Sequence, residues 1–177
     1  MRPITVSDAA LDHAAVMESR DALRLWEQSI WPADDFTVED DRADLERMEE
    51  RHVAGVAFGY TVLDPDESRC LGCVYVFAHD ARFLAVSDIT AVSGARWDRI
   101  DAAVYFWVRT SMTAGGLDRT LLGRLRQWFR DGWGFDDVVF VTSELFTQQV
   151  QLLATTDLEL RFEIVEPDKP SRYLAYG

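Results

Sequence analysis

The chain has 177 residues, of which 48% are hydrophobic, and this composition is sufficient for a compact core. Eighteen basic residues against 31 acidic residues give a net charge of −13. This balance argues against a nucleic-acid partner, because binding to a phosphate backbone depends on Lys and Arg. No apolar run reaches the roughly 18 residues of a membrane span, and no signal-like segment opens the chain. We therefore expect a single domain over residues 1–177, a cytoplasmic location and no membrane partner.

The first half of the chain alternates helical and strand patterns. A helix is predicted over DALRLWEQSI, where Ala22, Trp26 and Ile30 recur at helical spacing. A second helix is predicted after Thr37, a favourable N-cap, over the acidic run VEDDRADLERMEERH. The runs AFGYTVLD and RCLGCVYVFA flank the turn signal DPDES, which predicts a β-hairpin. The segment 81–99 is ambiguous between a loop and a ragged strand.

The second half predicts an alternation of strands and helices. AAVYFWVR and DDVVFVT are typical of strands, and the helical pattern LDRTLLGRLRQWFRD joins them. A right-handed crossover should make these two strands parallel neighbours. A further helix, ELFTQQVQLLATT, precedes the strands LELRFEIVE and SRYLAY, and this mixed order predicts a partly antiparallel sheet with helices on both faces. Ligands of such sheets bind at the carboxyl ends of strands, which points to the loop after Arg109.

Two cysteines, Cys70 and Cys73, have a spacing that invites a redox or zinc interpretation. They open a run that is typical of a strand, however, and residues three apart in a strand point to opposite faces. The three histidines, His13, His52 and His79, show no ligand spacing. We therefore expect two reduced core cysteines and no bound metal.

The element order and several segments resemble those of the GNAT superfamily of N-acetyltransferases over about residues 21–176. The similar segments are YTVLDPDESRCLGCVYV, WVR followed by a glycine-containing loop, LLGRLRQWF and LLATTDLELRF. The resemblance implies a mixed α/β fold with a bent, mostly antiparallel sheet and helices on both faces. It also implies that the protein transfers an acyl group from acetyl-CoA, or another acyl-CoA, to an amine.

The resemblance places a pyrophosphate-binding loop between the strand AAVYFWVR and the next helix. The family loop usually begins with Arg or Gln and ends in Gly-x-Gly or Gly-x-Ala, whereas this chain has TAGGLD, in which only Gly116 fits. A carboxylate at Asp118 either repels a phosphate at the helix start or stabilises that helix through its dipole, and both interpretations stay open. The cofactor contacts that the resemblance implies are Trp107, Val108, Arg109, Thr113, Ala114, Gly115, Gly116, Leu117, Asp118 and Arg119.

Two groups that the family often uses for proton transfer are absent from the matching positions. Ala103 stands where a strand glutamate is common, and a helix tyrosine is replaced by the pair Leu152-Leu153. Tyr105, two residues along the same strand, and Glu144, just after DDVVFVT, are the candidate catalytic residues. The competing interpretations are core packing for the tyrosine and simple solvent exposure for the glutamate.

Trp31 and Phe36 flank the loop WPADDF, which by resemblance forms one wall of the acceptor site. The acidic run that follows would suit a cationic amine, although a solvated helix surface explains the same charges. Two functions therefore remain. We prefer an acyl-CoA-dependent N-acyltransferase for a small-molecule amine, with a homodimer left open. The alternative is a catalytically silent protein that retained the fold for binding.

Overall fold

The computed structural model describes residues 1–92 and 94–177, and its centre is one mixed sheet. The strands in the described residues are Arg2–Pro3 (β1), Ala57–Leu63 (β2), Cys70–Phe77 (β3), Asp88–Ala91 (β4), Ala102–Val108 (β5), Val138–Ser143 (β6), Leu160–Val165 (β7) and Tyr173–Tyr176 (β8). They lie in the order β1-β2-β3-β5-β6-β8-β7-β4. Within this part of the chain, β5 and β6 pair in parallel and the other pairs are antiparallel. The expected mostly antiparallel α/β architecture is confirmed.

Helices cover both faces of this sheet. The helices of the described residues are Ala9–Glu18 (α1), Arg20–Glu27 (α2), Val38–Val53 (α3), Arg82–Ala85 (α4), Thr110–Thr113 (α5), Leu117–Trp128 (α6) and Thr147–Ala154 (α7). The first four pack one hydrophobic core, and α6 and α7 pack the other. Strand β5 separates the cores, because alternate residues of a strand point to opposite faces: Tyr105 enters the first core and Phe106 the second. No helix of the described residues is long and apolar enough to cross a membrane.

Local signals explain the helices that the sequence predicts. Thr37 caps α3 by accepting a hydrogen bond from the N–H of Asp40, whose carboxylate in turn accepts one from the N–H of Thr37. Helix α2 ends at Glu27, and the next residue, Gln28, adopts a left-handed conformation, so Ile30 lies outside the helix and is 84% exposed. The sequence prediction missed α1, because its alanine-rich run has few charged residues to mark an outer face.

The ambiguous segment 81–99 contains short elements rather than one long strand. It forms α4, then the edge strand β4, and then a single turn of 3-10 helix at Trp97–Arg99, whereas Ser93 lies outside the described residues. Strand β4 pairs only with β7 among the described strands, and three of its four side chains are exposed. A short edge strand buries too little apolar surface to produce a clear alternating pattern.

Strand β3 contains a bulge. Val62 of β2 pairs with Gly72, whereas the next residue, Leu63, pairs with Cys70, so Leu71 is an extra residue on β3. The bulge turns the thiols of Cys70 and Cys73 to the same side, where both join the first core. The expectation that these thiols point to opposite faces was wrong, because strict alternation holds only for a regular strand.

We predict that the bulge requires glycine at position 72. Gly72 has a φ angle of +154°, and a Cβ atom there would lie 2.1 Å from the carbonyl oxygen of Trp107. Because the backbone must move to relieve this contact, Gly72→Ala should lower the free energy of unfolding by about 3 kcal/mol. Urea unfolding measures the change.

Gly123 offers a matched control for this substitution. It lies inside α6, and a Cβ atom there would meet no atom within 4 Å. Gly123→Ala should therefore raise the free energy of unfolding by about 0.5–1 kcal/mol, since alanine loses less backbone entropy in a helix. Similar effects from the two substitutions would contradict the role of the bulge.

Candidate functional site

The parallel strands β5 and β6 separate at their carboxyl ends. Their pairing runs from Ala102 with Val138 to Tyr105 with Val141, and the residues beyond form no pair across the two strands. The stretches that do not pair with each other are Phe106–Val108 of β5 and Thr142–Ser143 of β6, although each pairs on its other edge, with β3 and β8 respectively. We call this opening the strand gap. The pairing register confirms that the two strands are parallel, and the strand gap lies at their carboxyl ends, where the sequence predicts a ligand.

Tyr105 lies at the point where the strand gap begins. Its side chain is 7% exposed, and its hydroxyl group has no hydrogen-bond partner among the described residues. Burial, followed by the negative charge of Glu166, raises the pKa of Tyr105 well above its ordinary value. The hydroxyl group therefore keeps its proton at neutral pH, and it can donate a hydrogen bond to a ligand or to the nearby carboxyl group of Glu166.

A cavity of about 760 Å³ adjoins Tyr105 on the side of α1, α2 and α3, and we call it the acidic cavity. Its lining is rich in aromatic rings and carboxyl groups. Seven aromatic residues contribute: Trp26, Trp31, Tyr75, Phe77, Phe83, Tyr105 and Tyr173. Six acidic residues and two basic residues also contribute: Asp12, Glu27, Asp41, Asp44, Glu50, Glu166, Arg47 and Arg51. Rings and carboxylates together favour an organic cation.

Glu166 is a cavity residue that the sequence prediction missed. It follows β7 in the segment VEPDKP, which by itself indicates only a turn. Burial raises the pKa of Glu166 to about 7, the charge of Lys169 partly offsets that rise, and the charge of Glu27 adds to it. No local motif marks this residue, because its burial depends on packing between distant segments.

Two further carboxyl groups of the cavity are buried side by side. Asp12 of α1 is 3% exposed and Asp41 of α3 is 1% exposed. Burial, followed by the negative charge of Asp12, raises the pKa of Asp41 to about 8. The acidic run that the sequence places on α3 therefore includes both solvated residues and residues that line a cavity.

The structure does not bring Glu144 together with Tyr105. Glu144 accepts hydrogen bonds from the hydroxyl group of Ser171 and, at 2.7 Å, from Nε of Arg172. These bonds, the one from Ser171 first, lower the pKa of Glu144 below its ordinary value. Glu144 does not contribute to the described lining of the acidic cavity. Its contacts are those of a residue that joins β6 to β8.

Of the two aromatic residues predicted for the acceptor wall, one lines the acidic cavity and the other packs behind it. Trp31 lines the acidic cavity directly. Phe36 packs edge-on against Trp31, with 5.8 Å between ring centroids, and stacks at 6.0 Å on His13. Phe36 therefore supports the wall from behind, while Trp31 presents the surface that a ligand would meet.

The loop after β5 is partly helical. Residues Thr110–Thr113 form α5, the hydroxyl group of Thr113 donates to the carbonyl oxygen of Thr110, and the N–H of Gly116 donates to the carbonyl oxygen of Thr113. Gly116 precedes α6 with a φ angle of +74°, a conformation that favours glycine. The turn consumes backbone N–H groups that an open loop would offer to a phosphate.

Asp118 is a buried link between two helices, with 7% of its surface exposed. Oδ1 accepts a hydrogen bond of 2.8 Å from the N–H of Arg119, and Oδ2 accepts one from the side-chain amide of Gln148 on α7. The carboxylate therefore accepts a hydrogen bond from one of the backbone N–H groups that the start of α6 leaves without a helical partner. This geometry favours the interpretation of Asp118 as a helix-start carboxylate, and it leaves a negative charge at the expected phosphate position.

The other predicted cofactor residues differ in accessibility. Arg109 is 6% exposed, donates from Nε to the carbonyl oxygen of Cys70 at 3.0 Å, and pairs with Glu18 at 2.6 Å. Trp107 and Val108 are also buried, one in each core. The residues with accessible surface are Thr113, Ala114, Gly115, Gly116, Leu117 and Arg119. The structure thus assigns Arg109 to cross-linking of β5 with β3 and α1.

Buried polar atoms beside the strand gap show how well it fits an amide-containing ligand. Gln149 of α7 is 2% exposed, and its side-chain N–H donates to the carbonyl oxygen of Phe106 at 2.8 Å. Neither Oε1 of Gln149 nor Oγ1 of Thr142 has a hydrogen-bond partner in the described part of the chain. Unpartnered buried oxygens are costly, so both atoms suit a ligand that supplies donors. The gap therefore offers two acceptor oxygens to the amide N–H groups of an acyl-CoA arm, whereas Gln149 already occupies the carbonyl oxygen of Phe106.

Comparison with solved structures identifies proteins of the same fold. RimJ from Mycobacterium smegmatis, in complex with CoA-disulfide, has a TM-score of 0.70 and 15% identity, covering 99% of this chain and 78% of that one. The ribosomal-protein-S5-alanine acetyltransferase from Vibrio fischeri has a TM-score of 0.68, 18% identity and coverages of 99% and 89%. A spermidine N-acetyltransferase SpeG chimera from Vibrio cholerae and hSSAT has a TM-score of 0.63 and 13% identity, covering 99% of this chain and 92% of that one. No protein-family model and no curated protein sequence matches the chain.

Proposed function

We propose that this chain, which has the fold of the GNAT acetyltransferases, is an acyl-CoA-dependent N-acyltransferase for a small cationic amine. One observation carries the proposal: the acidic cavity and the strand gap meet at Tyr105. An amine in the cavity and an acyl donor in the gap would therefore approach each other from opposite directions. The carboxyl groups and rings of the cavity attract an ammonium group by Coulomb and cation–π interactions.

Residues of the strand gap and the following helix would hold the acyl donor. Acyl-CoA supplies an acyl thioester when it is bound. Gln149 and Thr142 offer unpartnered oxygens to its amides, and the N–H groups of Leu117 and Asp118 lie in the first turn of α6. These contacts are weaker than the resemblance implies, because Asp118 and α5 occupy donors of the loop.

In the proposed reaction Glu166 accepts a proton from the amine, and Tyr105 donates a proton to the leaving group. An amine with an ordinary pKa of about 10 must lose a proton before it attacks a carbonyl group. Glu166 has a pKa of about 7, so a substantial fraction is ionised at neutral pH and accepts that proton. Tyr105 holds its own proton at the start of the strand gap, where an acyl-transfer leaving group requires one.

The role of Glu166 predicts a specific pH dependence. Because the ionised form accepts the proton, kcat/KM should fall as pH decreases through about 7. Glu166→Gln should lower kcat by about a hundredfold or more and remove this inflection. Glu144→Gln is the matched control, since Glu144 is a carboxylate outside the cavity lining, and it should retain the inflection. An inflection that persists in Glu166→Gln would exclude Glu166 as the base.

The same substitution should stabilise the folded protein at high pH. Folding raises the pKa of Glu166 above its ordinary value of 4.5, so the wild-type protein loses stability as pH rises from about 4.5 through 7. A neutral glutamine has no such dependence. Thermal unfolding should therefore show Glu166→Gln to be more stable than wild type at pH 8 but not at pH 4. A loss of activity with a gain in stability distinguishes this variant from one that is merely misfolded.

The cavity wall predicts a separation between amine binding and cofactor binding. Trp31→Ala should raise KM for a cationic amine about tenfold, as expected for a lost cation–π contact, and leave the Kd of acetyl-CoA unchanged. Trp133→Ala is the control, because Trp133 packs in the other core. Steady-state kinetics with cationic and neutral amines, together with calorimetry for acetyl-CoA, measure both effects. Equal effects on the two ligands would contradict the proposed wall.

A catalytically silent binding protein is the second candidate, and the loop favours it. Asp118, α5 and the hydrogen bond from Gln149 all occupy groups that an acyl-CoA would use. Binding of acetyl-CoA discriminates between the candidates. If calorimetry detects no binding up to millimolar cofactor, the acyltransferase proposal fails and the cavity becomes a binding site for cations alone.

The charge of Asp118 should weaken binding of acetyl-CoA in the wild-type protein. Asp118→Asn keeps an oxygen acceptor for Arg119 and removes the negative charge, so we expect binding to tighten about tenfold at low salt. The gain should shrink as the salt concentration rises. The variant should lose about 1 kcal/mol of stability, because the nitrogen that replaces Oδ2 cannot accept from Gln148, whose side-chain amide must rotate to accept a neutral hydrogen bond instead.

Asp157→Asn provides the control, because Asp157 is a carboxylate that pairs with Arg126 on the exposed side of α6. It should leave the Kd of acetyl-CoA unchanged in the same calorimetric titration. Binding that is unchanged or weaker in Asp118→Asn would show that the carboxylate does not oppose the ligand.

A further inference from the structure

The bulge in β3 brings both cysteines against one carboxylate of α1. The Sγ atoms of Cys70 and Cys73 lie 3.3 and 3.1 Å from the same oxygen, Oδ1 of Asp12. The three side chains are at most 3% exposed, and one ligand atom from each lies within 4.8 Å of the others. We call these three residues the thiol–carboxylate cluster.

The cluster has the composition of a site for a thiophilic divalent cation. Two thiolates and a carboxylate are ligands that Zn²⁺ accepts, at about 2.3 Å from sulfur and 2.0–2.2 Å from oxygen. A tetrahedral site with those bond lengths separates sulfur from oxygen by about 3.5 Å. The two separations to Asp12, 3.3 and 3.1 Å, are only slightly shorter, so a small displacement would admit the ion.

The charge of the cluster also suits a divalent ion. Each thiol donates its proton towards Oδ1 of Asp12, so the two protons occupy the space between sulfur and oxygen. Replacing two protons by one divalent cation leaves the total charge of the buried groups unchanged. Binding therefore avoids the large cost of adding net charge to the protein interior.

Asp41 of α3 lies next to Asp12, one member of the cluster. Asp41 is 1% exposed, and its Oδ2 has no hydrogen-bond partner in residues 1–92 or 94–177. Asp12 and Asp41 line the same cavity, so water also reaches this side of the cluster. Asp41 therefore adds a buried oxygen next to Asp12, on the side of the cluster that faces the cavity.

We propose that Asp12, Cys70 and Cys73 form a buried site for one thiophilic divalent cation, with Zn²⁺ as the best fit, and that Asp41 or a water molecule completes it. The ion would cross-link α1 to β3 in the wall of the acidic cavity. This proposal reverses the expectation of no bound metal, which depended on regular alternation in β3. It does not depend on the proposed acyltransferase activity.

Titration of the reduced protein with Zn²⁺ and with Co²⁺ tests the site. We expect one equivalent to bind, with release of about two protons and a sulfur-to-cobalt absorption band. Cys70→Ser and Cys73→Ser should each weaken binding at least a hundredfold and lose that band. Asp44→Asn should bind like wild type, because Asp44 lines the same cavity but pairs with Arg47 outside the cluster.

If the cysteine variants fail to fold, two measurements on the wild-type chain still test the site. Zn²⁺ should raise the Tm of the wild type and should slow alkylation of both cysteines in the folded protein. The absence of stoichiometric binding would overturn the proposal. So would binding that leaves the alkylation rate unchanged, or that persists in folded Cys70→Ser and Cys73→Ser, since the ion would then lie elsewhere.

Discussion

The early end of pairing between β5 and β6 is the constraint on which the candidate site depends. Strand β5 pairs with β3 along most of its length, but it pairs with β6 only as far as Tyr105. Beyond that residue the edges of two central strands face each other without a ladder, and Oγ1 of Thr142 and Oε1 of Gln149 have no hydrogen-bond partner among the described residues. Unpaired backbone and side-chain groups inside a protein are costly, so this opening favours a ligand that supplies the missing hydrogen bonds.

The acidic cavity gathers several carboxyl groups that are partly or fully buried. Burial raises the pKa of Glu166 and of Asp41 to near neutral pH, whereas hydrogen bonds from Ser171 and then Arg172 lower the pKa of Glu144. Two classes of carboxylate therefore coexist in an acidic protein. The exposed ones contribute to the net charge of −13, and the buried ones are suited to proton transfer or to binding a cation.

The two ends of the candidate site differ in how well they match the features that the resemblance to GNAT acetyltransferases implies. The end proposed for the amine contains a cavity, aromatic walls and the carboxyl group of Glu166, whose pKa is about 7. The phosphate end is altered, because α5 and Asp118 engage donors that would otherwise face a ligand. This asymmetry is why acetyl-CoA binding, rather than the shape of the fold, decides between an enzyme and a silent binding protein.

The sequence by itself determined the features that arise from neighbouring residues. Helix α3 with its Thr37 cap, the β2–β3 hairpin, and the order of strands and helices from β5 onward all follow from local periodicity and turn chemistry. Only the tertiary structure decided the bulge that turns both thiols towards Asp12, the burial of Glu166 and the partner of Asp118. These features depend on contacts between residues far apart in the chain, and no local pattern of residues carries that information.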